Sequence, residues 1–372
     1  MELVVRKNDL LRELQLFQGI VERKNTIPIL ANVLIDAKDG EMRMLATDLE
    51  VALRSRCEAT VSKGGVLTLP AKKLFEIVRA LPETEVRISQ DKGGVRVAAD
   101  RFTSRIQTLP REDFPVLPEA TGTGRATLPG AALREMVSKT QFAITGEDTR
   151  YFLNGALFVL RKGSMSLVAT DGHRLALVTV PRPDDDGALK DGDEDKVILP
   201  KKTLLELGKL LGDSDEAIHF ERGENHLFFE VGGRVLISRM IDGQFPAYER
   251  VIPTGNDKDI EFERDRLTSA IKRVALLSNE RSRAVKVEIS KGKAEVTSSS
   301  SEFGEASEQI PVEYAGDDLA ISFNAQYVLD FLNVVETDVV LLSLKDEVSQ
   351  AVMKPVGSAE YDYTYVIMPM RI

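Results

Sequence analysis

Apolar residues recur at three- and four-residue intervals in three well-separated stretches of the chain. Leu10, Leu11, Leu14, Phe17, Ile20 and Val21 make the first. Leu133, Met136, Val137 and Phe142 make the second, and Leu267, Ile271, Val274 and Leu277 the third. That spacing gathers the apolar side chains on one face of a helix. Between them lie alternating segments such as Met42-Arg43-Met44-Leu45 and Ser166-Leu167-Val168, whose period of two predicts strands with one face covered. A second helix is predicted after Pro70 and again after Pro200, because proline at a helix start removes no N–H that the helix needs. Further strands follow at 95–97 and 227–231, and Gly93-Gly94 and Gly232-Gly233 mark hairpin turns. Helices interleaved with hairpin strands predict an antiparallel α+β domain with two helices on one face.

The landmarks repeat. Leu45-Ala46-Thr47-Asp48-Leu49 returns as Val168-Ala169-Thr170-Asp171-Gly172, 123 positions later. Leu67-Thr68-Leu69-Pro70 returns as Val197-Ile198-Leu199-Pro200 after 130, and Phe114-Pro115 as Phe245-Pro246 after 131. A fainter third copy runs from Leu319-Ala320-Ile321-Ser322-Phe323-Asn324 into Tyr327-Val328-Leu329-Asp330-Phe331-Leu332. A period near 124 residues is too long for a solenoid and suits a domain. Turn-rich stretches at 118–124 and 253–259 therefore divide the chain into domains 1–120, 125–253 and 258–372.

The composition is that of a folded chain, with 43% apolar and 29% charged residues in 372. The opening residues lack the basic start and apolar run of a secretory signal. Nor is any apolar stretch long enough to suggest a membrane span. The single cysteine, Cys57, reads as a small core residue and fits a reducing, cytoplasmic setting. The Asp- and Gly-rich segment 184–195 reads as a solvated loop, since it has no ordered ligand spacing. Neither a metal site nor a cofactor is expected. Thr170-Asp171-Gly172-His173 contains a hydroxyl, an acid and a base, but sequence neighbours seldom assemble a catalytic triad.

A net charge of −10 argues against a nucleic-acid partner until it is placed along the chain. The helical windows 71–81, 131–144, 201–213 and 264–283 carry +2, +1, +1 and +4. Window 8–24 is neutral and 324–337 carries −2, so the six sum to +6 and leave −16 elsewhere. Lys and Arg are good helix formers, which alone gives mildly basic helices. Beside a threefold repeat, a basic surface lined by helices is the better reading.

Ala169-Thr170-Asp171-Gly172-His173-Arg174-Leu175-Ala176, Arg150-Tyr151-Phe152-Leu153-Asn154-Gly155, Phe245-Pro246 and the terminal Tyr365-Val366-Ile367-Met368-Pro369-Met370-Arg371-Ile372 resemble the bacterial β sliding clamp family from end to end. The resemblance implies the DNA clamp fold: three similar domains, each with two helices packed on antiparallel sheets. Two chains are expected to join head to tail as a homodimer, a six-domain ring around double-stranded DNA. A head-to-tail contact that did not close would give filaments instead. The expected partners are a polymerase catalytic subunit, a clamp loader and other proteins carrying short clamp-binding peptides.

By the same resemblance, DNA contacts are expected at Lys24, Lys72, Tyr151, Phe152 and Lys202. Lys24 and Lys72 stand where some relatives carry arginine, which keeps the charge but not the bidentate geometry. Phe152 replaces a frequent tyrosine and lacks its hydroxyl. A partner-peptide pocket is expected from Leu153, Thr170, Gly172, His173, Arg174, Leu175, Pro246, Val251, Asn324, Tyr327, Val348, Val366, Met368, Pro369, Met370 and Arg371. Leu175, Val251 and Val366 would form its aliphatic walls, and methionines would suit varied peptides. An apolar chain end could equally be a buried strand, as Val366 and Ile367 suggest. The ring interface is expected at Lys73, Arg96, Arg101, Arg105, Ile106, Leu276, Leu277, Glu302 and Glu305, with Glu308 nearby.

Two other readings are open to a chain of this composition. A nuclease or polymerase needs carboxylates placed for two metal ions, or a phosphate-binding glycine loop, and neither pattern is present. A scaffold without nucleic acid would leave the basic helices unexplained.

Overall fold

The computed structural model describes residues 1–21, 26–91, 93–122, 125–183, 192–212, 215–357 and 360–371. The first repeat holds β1 (Glu2–Arg6), α1 (Lys7–Phe17), β2 (Asn32–Lys38), β3 (Glu41–Thr47) and β4 (Val51–Glu58). It continues with a short β5 (Thr60–Lys63), β6 (Gly65–Pro70), α2 (Ala71–Ala80), β7 (Glu85–Asp91), β8 (Gly94–Ala99) and β9 (Phe102–Ile106). The second holds β10 (Ala126–Leu128), α3 (Gly130–Thr140), β11 (Gly155–Arg161), β12 (Ser164–Thr170) and β13 (Arg174–Pro181). Then come β14 (Glu194–Pro200), α4 (Lys201–Leu211), β15 (Ile218–Arg222), β16 (His226–Val231) and β17 (Arg234–Arg239). The third holds β18 (Lys258–Glu263), α5 (Arg264–Val274), β19 (Ala284–Ser290), β20 (Lys293–Ser300) and β21 (Gly304–Pro311). It ends with β22 (Leu319–Asn324), α6 (Ala325–Leu332), β23 (Val339–Leu344), β24 (Ala351–Pro355) and β25 (Asp362–Ile367).

One strand-order rule governs all three repeats. The first strand shares a sheet with the last three, and the strands between the two helices pair among themselves, antiparallel throughout, except that the short β5 pairs with β1. Neighbouring repeats then share sheets. β4 of the first pairs with β17 of the second, and β13 of the second with β25 of the third, so each junction is the middle of an eight-stranded sheet. The other two sheets end in β9 and β21, whose outer edges have no strand beside them among the described residues.

The chain forms two compact units, and these do not follow the repeats. One holds Met1–Ala131 with Lys202–Met240; the other holds Ala132–Asp184, Leu189–Lys201 and Ile241–Ile372. Each unit is built round one of the shared eight-stranded sheets.

The first helix of each repeat buries the same four-position stripe. It is Leu10, Glu13, Leu14 and Phe17 in α1, Leu133, Met136, Val137 and Thr140 in α3, and Leu267, Ala270, Ile271 and Val274 in α5. α1 is shorter than its pattern predicts. Ile20 and Val21 keep the apolar spacing, but after Gly19 both N–H groups bond back to Phe17 O in a closing turn. Likewise α5 stops at Val274, and Ala275–Leu277 form a 3-10 turn that leaves Leu276 78% exposed. In α6, Asn324 caps the helix, its Oδ1 accepting from Gln326 N at 2.9 Å. The six helices carry fourteen Lys and Arg against seven Asp and Glu, so the segregation of charge holds. Cys57 is buried, and desolvation pushes its thiol up to about 12.

Glu13 is the one carboxylate in those buried stripes. Arg234 Nη2 and Nε on β17 donate to it at 2.5 and 2.8 Å, Arg12 Nε donates at 3.1 Å, and Ser55 Oγ on β4 donates to it as well. The corresponding three positions of the second and third repeats are Met136, Val178 and Tyr363, all buried and without charge.

Candidate functional site

The repeated Thr-Asp pair is explained by a turn. After β12, Asp171 Oδ1 accepts from His173 N at 2.9 Å and Arg174 N at 3.1 Å. Thr170 Oγ1 donates to Arg174 O at 2.6 Å and accepts from Gly172 N at 3.1 Å. Thr47 and Asp48 make the same four bonds after β3. These side chains satisfy backbone groups that the hairpin leaves unpaired. The turn needs a left-handed residue, supplied by Gly172 at φ +88° and by Leu49 at φ +81°.

Beside this turn lies an apolar cluster of Leu153, Leu157, Val168, Leu175, Phe245, Tyr248, Val352 and Val366, with Phe152, Val251 and Ile252 packed on it. Leu175 and Val366 face each other across β13 and β25 and are 1% exposed. They form a buried floor rather than the walls the sequence suggests, because strand pairing covers them on both sides. Val251 is half-buried and Pro246 exposed. The terminal residues past β25 are tied down: Met368 N donates to His173 O at 2.9 Å, and Met370 N to Ser322 O at 2.7 Å. Met368, Pro369 and Met370 stay half-exposed and Arg371 exposed. Val348 stands 64% exposed on the turn between β23 and β24.

The Arg150-Tyr151-Phe152-Leu153-Asn154 motif supports the cluster from below. Asn154 Oδ1 accepts from Thr145 Oγ1 at 2.6 Å and from Asp148 N at 2.9 Å, closing the loop that carries Leu153. The side chain and N–H of Arg150 both donate to Asp148 and hold its carboxyl down to about 2.

Arg174 is the most heavily engaged residue of the region. Nε donates to Asp171 Oδ2 at 3.1 Å, Nη1 to Asp330 Oδ2 at 2.5 Å and Nη2 to Phe142 O at 2.6 Å. The guanidinium lies 4.4 Å from the Tyr327 ring centroid and 5.2 Å from that of Phe142. Burial opposes its charge, yet Tyr365, Asp330 and Asp171 outweigh this and raise its pKa above the ordinary value. Tyr327 also stacks on His173, at 6.4 Å and 24°.

The residues read as DNA contacts are spread differently. Lys24 lies outside the described residues. Lys72 is exposed, 4.0 Å from Glu76, and Tyr151 is exposed, its ring edge-on to Phe152. Phe152 turns toward the apolar cluster. Lys202 is not a free cation: its Nζ donates to Asp48 Oδ2 at 2.5 Å and Ile20 O at 3.2 Å. Among the interface residues, Arg96, Arg101 and Arg105 are exposed on or between β8 and β9, and Glu302 and Glu305 on or before β21. Arg105 meets Asp91 at 2.8 Å, and Lys73 meets Glu76 at 2.6 Å. Ile106 is buried in the core of its own repeat, so its backbone edge is free but its side chain is not. Glu308 is held by Arg273 at 2.5 Å.

Sequence reading missed Asp330, Phe142, Tyr248 and Tyr365. A signal for Asp330 was available, since Glu76, Glu206 and Asp330 occupy matching positions of α2, α4 and α6.

Three family models cover nearly the whole chain: the N-terminal, central and C-terminal domains of the DNA polymerase III beta subunit, at residues 1–118, 127–247 and 249–371. The beta sliding clamp of Pseudomonas putida is 37% identical and that of Escherichia coli 35%, both over the full length of each chain. Among solved structures, the sliding clamp of Pseudomonas aeruginosa bound to griselimycin has a TM-score of 0.94 at 36% identity, and that of Caulobacter crescentus 0.92 at 35%, again over both full chains.

Proposed function

The chain belongs to the DNA polymerase III beta subunit family, the bacterial sliding clamps, and we propose that two copies close head to tail into a ring around duplex DNA. The chain is a non-catalytic processivity factor that tethers the replicative polymerase and other replication and repair proteins to the template. We assign it domains 1–120, 125–253 and 258–372, a cytoplasmic location, and the polymerase catalytic subunit and clamp loader as partners. No helix among the described residues is long and apolar enough to cross a membrane.

The observation that carries this reading is the strand rule. Two junctions within the chain are sealed by pairing the fourth strand of one repeat's pattern with the last strand of the next. By the same rule, β21 should meet β9 of a second copy, which would also cover two edges that invite aggregation. The register follows from matching hairpins. Ala52 faces Ile237 at the first junction and Leu175 faces Val366 at the second. Carried over, that position holds Glu305 opposite Arg105. It is apolar where the chain is continuous and ionic where two copies must separate. Such a pair sets register rather than affinity, so backbone pairing and exposed Leu276 would supply most of the hold.

We read the apolar cluster and its half-exposed methionine rim as the docking place of short apolar peptides from partner proteins. Lys24, Lys72, Tyr151, Phe152 and Lys202 are the proposed DNA contacts, weak and non-specific so that the ring can slide. Of the four described, Lys72 and Tyr151 offer the most surface. The test is retention. Loaded on primed circular DNA, the protein should stay bound and be lost when the circle is cut. Equal loss from circles and linear DNA would overturn the ring.

A further inference from the structure

We infer that Arg174 is a positioning residue: it clamps α6 and the Phe142 turn to the turn after β12, and so sets the rim of the groove without touching the peptide. The inference rests on the groove reading above but goes beyond it.

Most of what the guanidinium can offer is already in use. Its three nitrogens donate to Asp171, Asp330 and Phe142 O, and the Tyr365 hydroxyl, which donates to Tyr327 O at 2.9 Å, accepts from it too. Two aromatic rings, those of Tyr327 and Phe142, also lie against it. Its side chain is 9% exposed. A peptide carboxylate could bind it only by displacing Asp171 or Asp330, exchanging one ionic partner for another.

The clamp does reach the surface through its neighbours. Tyr327, ordered against Arg174, stacks on His173, and His173 O holds Met368 N. Asp330 also fixes Gln326 Nε2 at 2.7 Å, at the start of α6. Losing the clamp therefore frees the aromatic rim and the methionine tail together. The first junction has no equivalent, since Val51 occupies the matching position and Lys202 reaches across to Asp48 instead.

The experiment uses the full chain as wild type, Arg174→Gln, Arg174→Lys and Asp330→Asn. Two synthetic peptides ending in Leu-Phe, one with an acidic residue before the apolar pair and one neutral, are titrated by calorimetry. Arg174→Gln and Asp330→Asn should each weaken both peptides about tenfold. The double variant should do no worse than the weaker single, because the two groups act as one unit. Lysine should not rescue, since an ammonium cannot serve three fixed directions with the planar geometry of a guanidinium lying against two rings. In the unliganded protein, the amides of His173 and Met368 should exchange faster in both variants. If Arg174→Gln fails to fold, Asp330→Asn carries the test alone. Wild-type affinity in Asp330→Asn, or a loss confined to the acidic peptide, overturns the clamp. Should wild type bind neither peptide, the groove reading falls and exchange decides: unchanged protection at His173 and Met368 then refutes the clamp as well.

Discussion

Glu13 offers a direct test of what a buried ion pair does at a junction between repeats. Replacing it with alanine removes both carboxylate oxygens that accept from Arg234 Nε and Nη2 and leaves Glu216 as its remaining acidic neighbour. Breaking a buried pair in this way costs about 3–5 kcal/mol, and because Arg234 keeps 21% exposure the lower end applies. For a unit of this size that is a fall in Tm of roughly 6–12 °C. The second junction suggests a replacement: Glu13→Met, Ser55→Val and Arg234→Tyr together install the residues found at Met136, Val178 and Tyr363. Well-packed apolar substitutes for a buried pair range from neutral to about 4 kcal/mol stabilising, so the triple variant should melt at or above wild type. The pH dependence has a definite sign. Burial alone would raise the Glu13 pKa, but hydrogen bonds from Arg234, Ser55 and Arg12 bring it below 4.5. A depressed folded-state pKa contributes stability that is full above the unfolded value and is lost as pH falls through the folded one. The triple variant should therefore gain on wild type as pH drops below about 4.5. Scanning calorimetry from pH 3.5 to 7 checks both claims. A Glu13→Ala protein that melts like wild type, or a triple variant as unstable as that single, refutes the reasoning.

Other outcomes follow from the same geometry. Arg105→Glu or Glu305→Arg alone should shift the protein toward monomer in sedimentation, and the two reversals combined should restore the dimer. Leu276→Ala with Leu277→Ala should give monomers at unchanged Tm. Gly172→Ala puts a Cβ 3.3 Å from Arg150 Nη1 at φ +88°, which should cost about 1 kcal/mol and weaken peptide binding several-fold by calorimetry. Lys72→Ala should shorten retention on circular DNA without changing Tm, whereas Lys202→Ala should also lower Tm because it strands the buried Asp48 carboxylate.

The repeats were legible because each landmark does a local job that recurs. Thr-Asp closes a hairpin, proline opens a helix, and the three-and-four spacing seats that helix on its sheet. Helix ends were less legible: Ile20 and Val21 continue the apolar period, but they lie in a closing turn that buries Ile20 and only half-buries Val21. The site was legible only as a set of surface names. What lies between them depends on pairing between residues some 190 positions apart, such as Leu175 with Val366, which no local pattern encodes. The same holds for Lys202, a cation in the sequence whose charge is answered by Asp48, 154 residues away.

The shared sheets have a bearing on how the protein comes apart. A repeat that lends each of its two sheets to a different neighbour is not a cooperative block, even though its sequence is a clean copy of the others. In native-state hydrogen exchange, β15 to β17 should open together with β2 to β4, and β11 to β13 together with β23 to β25. The central repeat would then be split between two sub-global openings. Excised as 125–253, it would present the bare edges of β13 and β17 to solvent. That fragment should aggregate, and because the chain passes between the two compact units near residues 131, 201 and 240, no single cut at these crossings leaves both junction pairs intact.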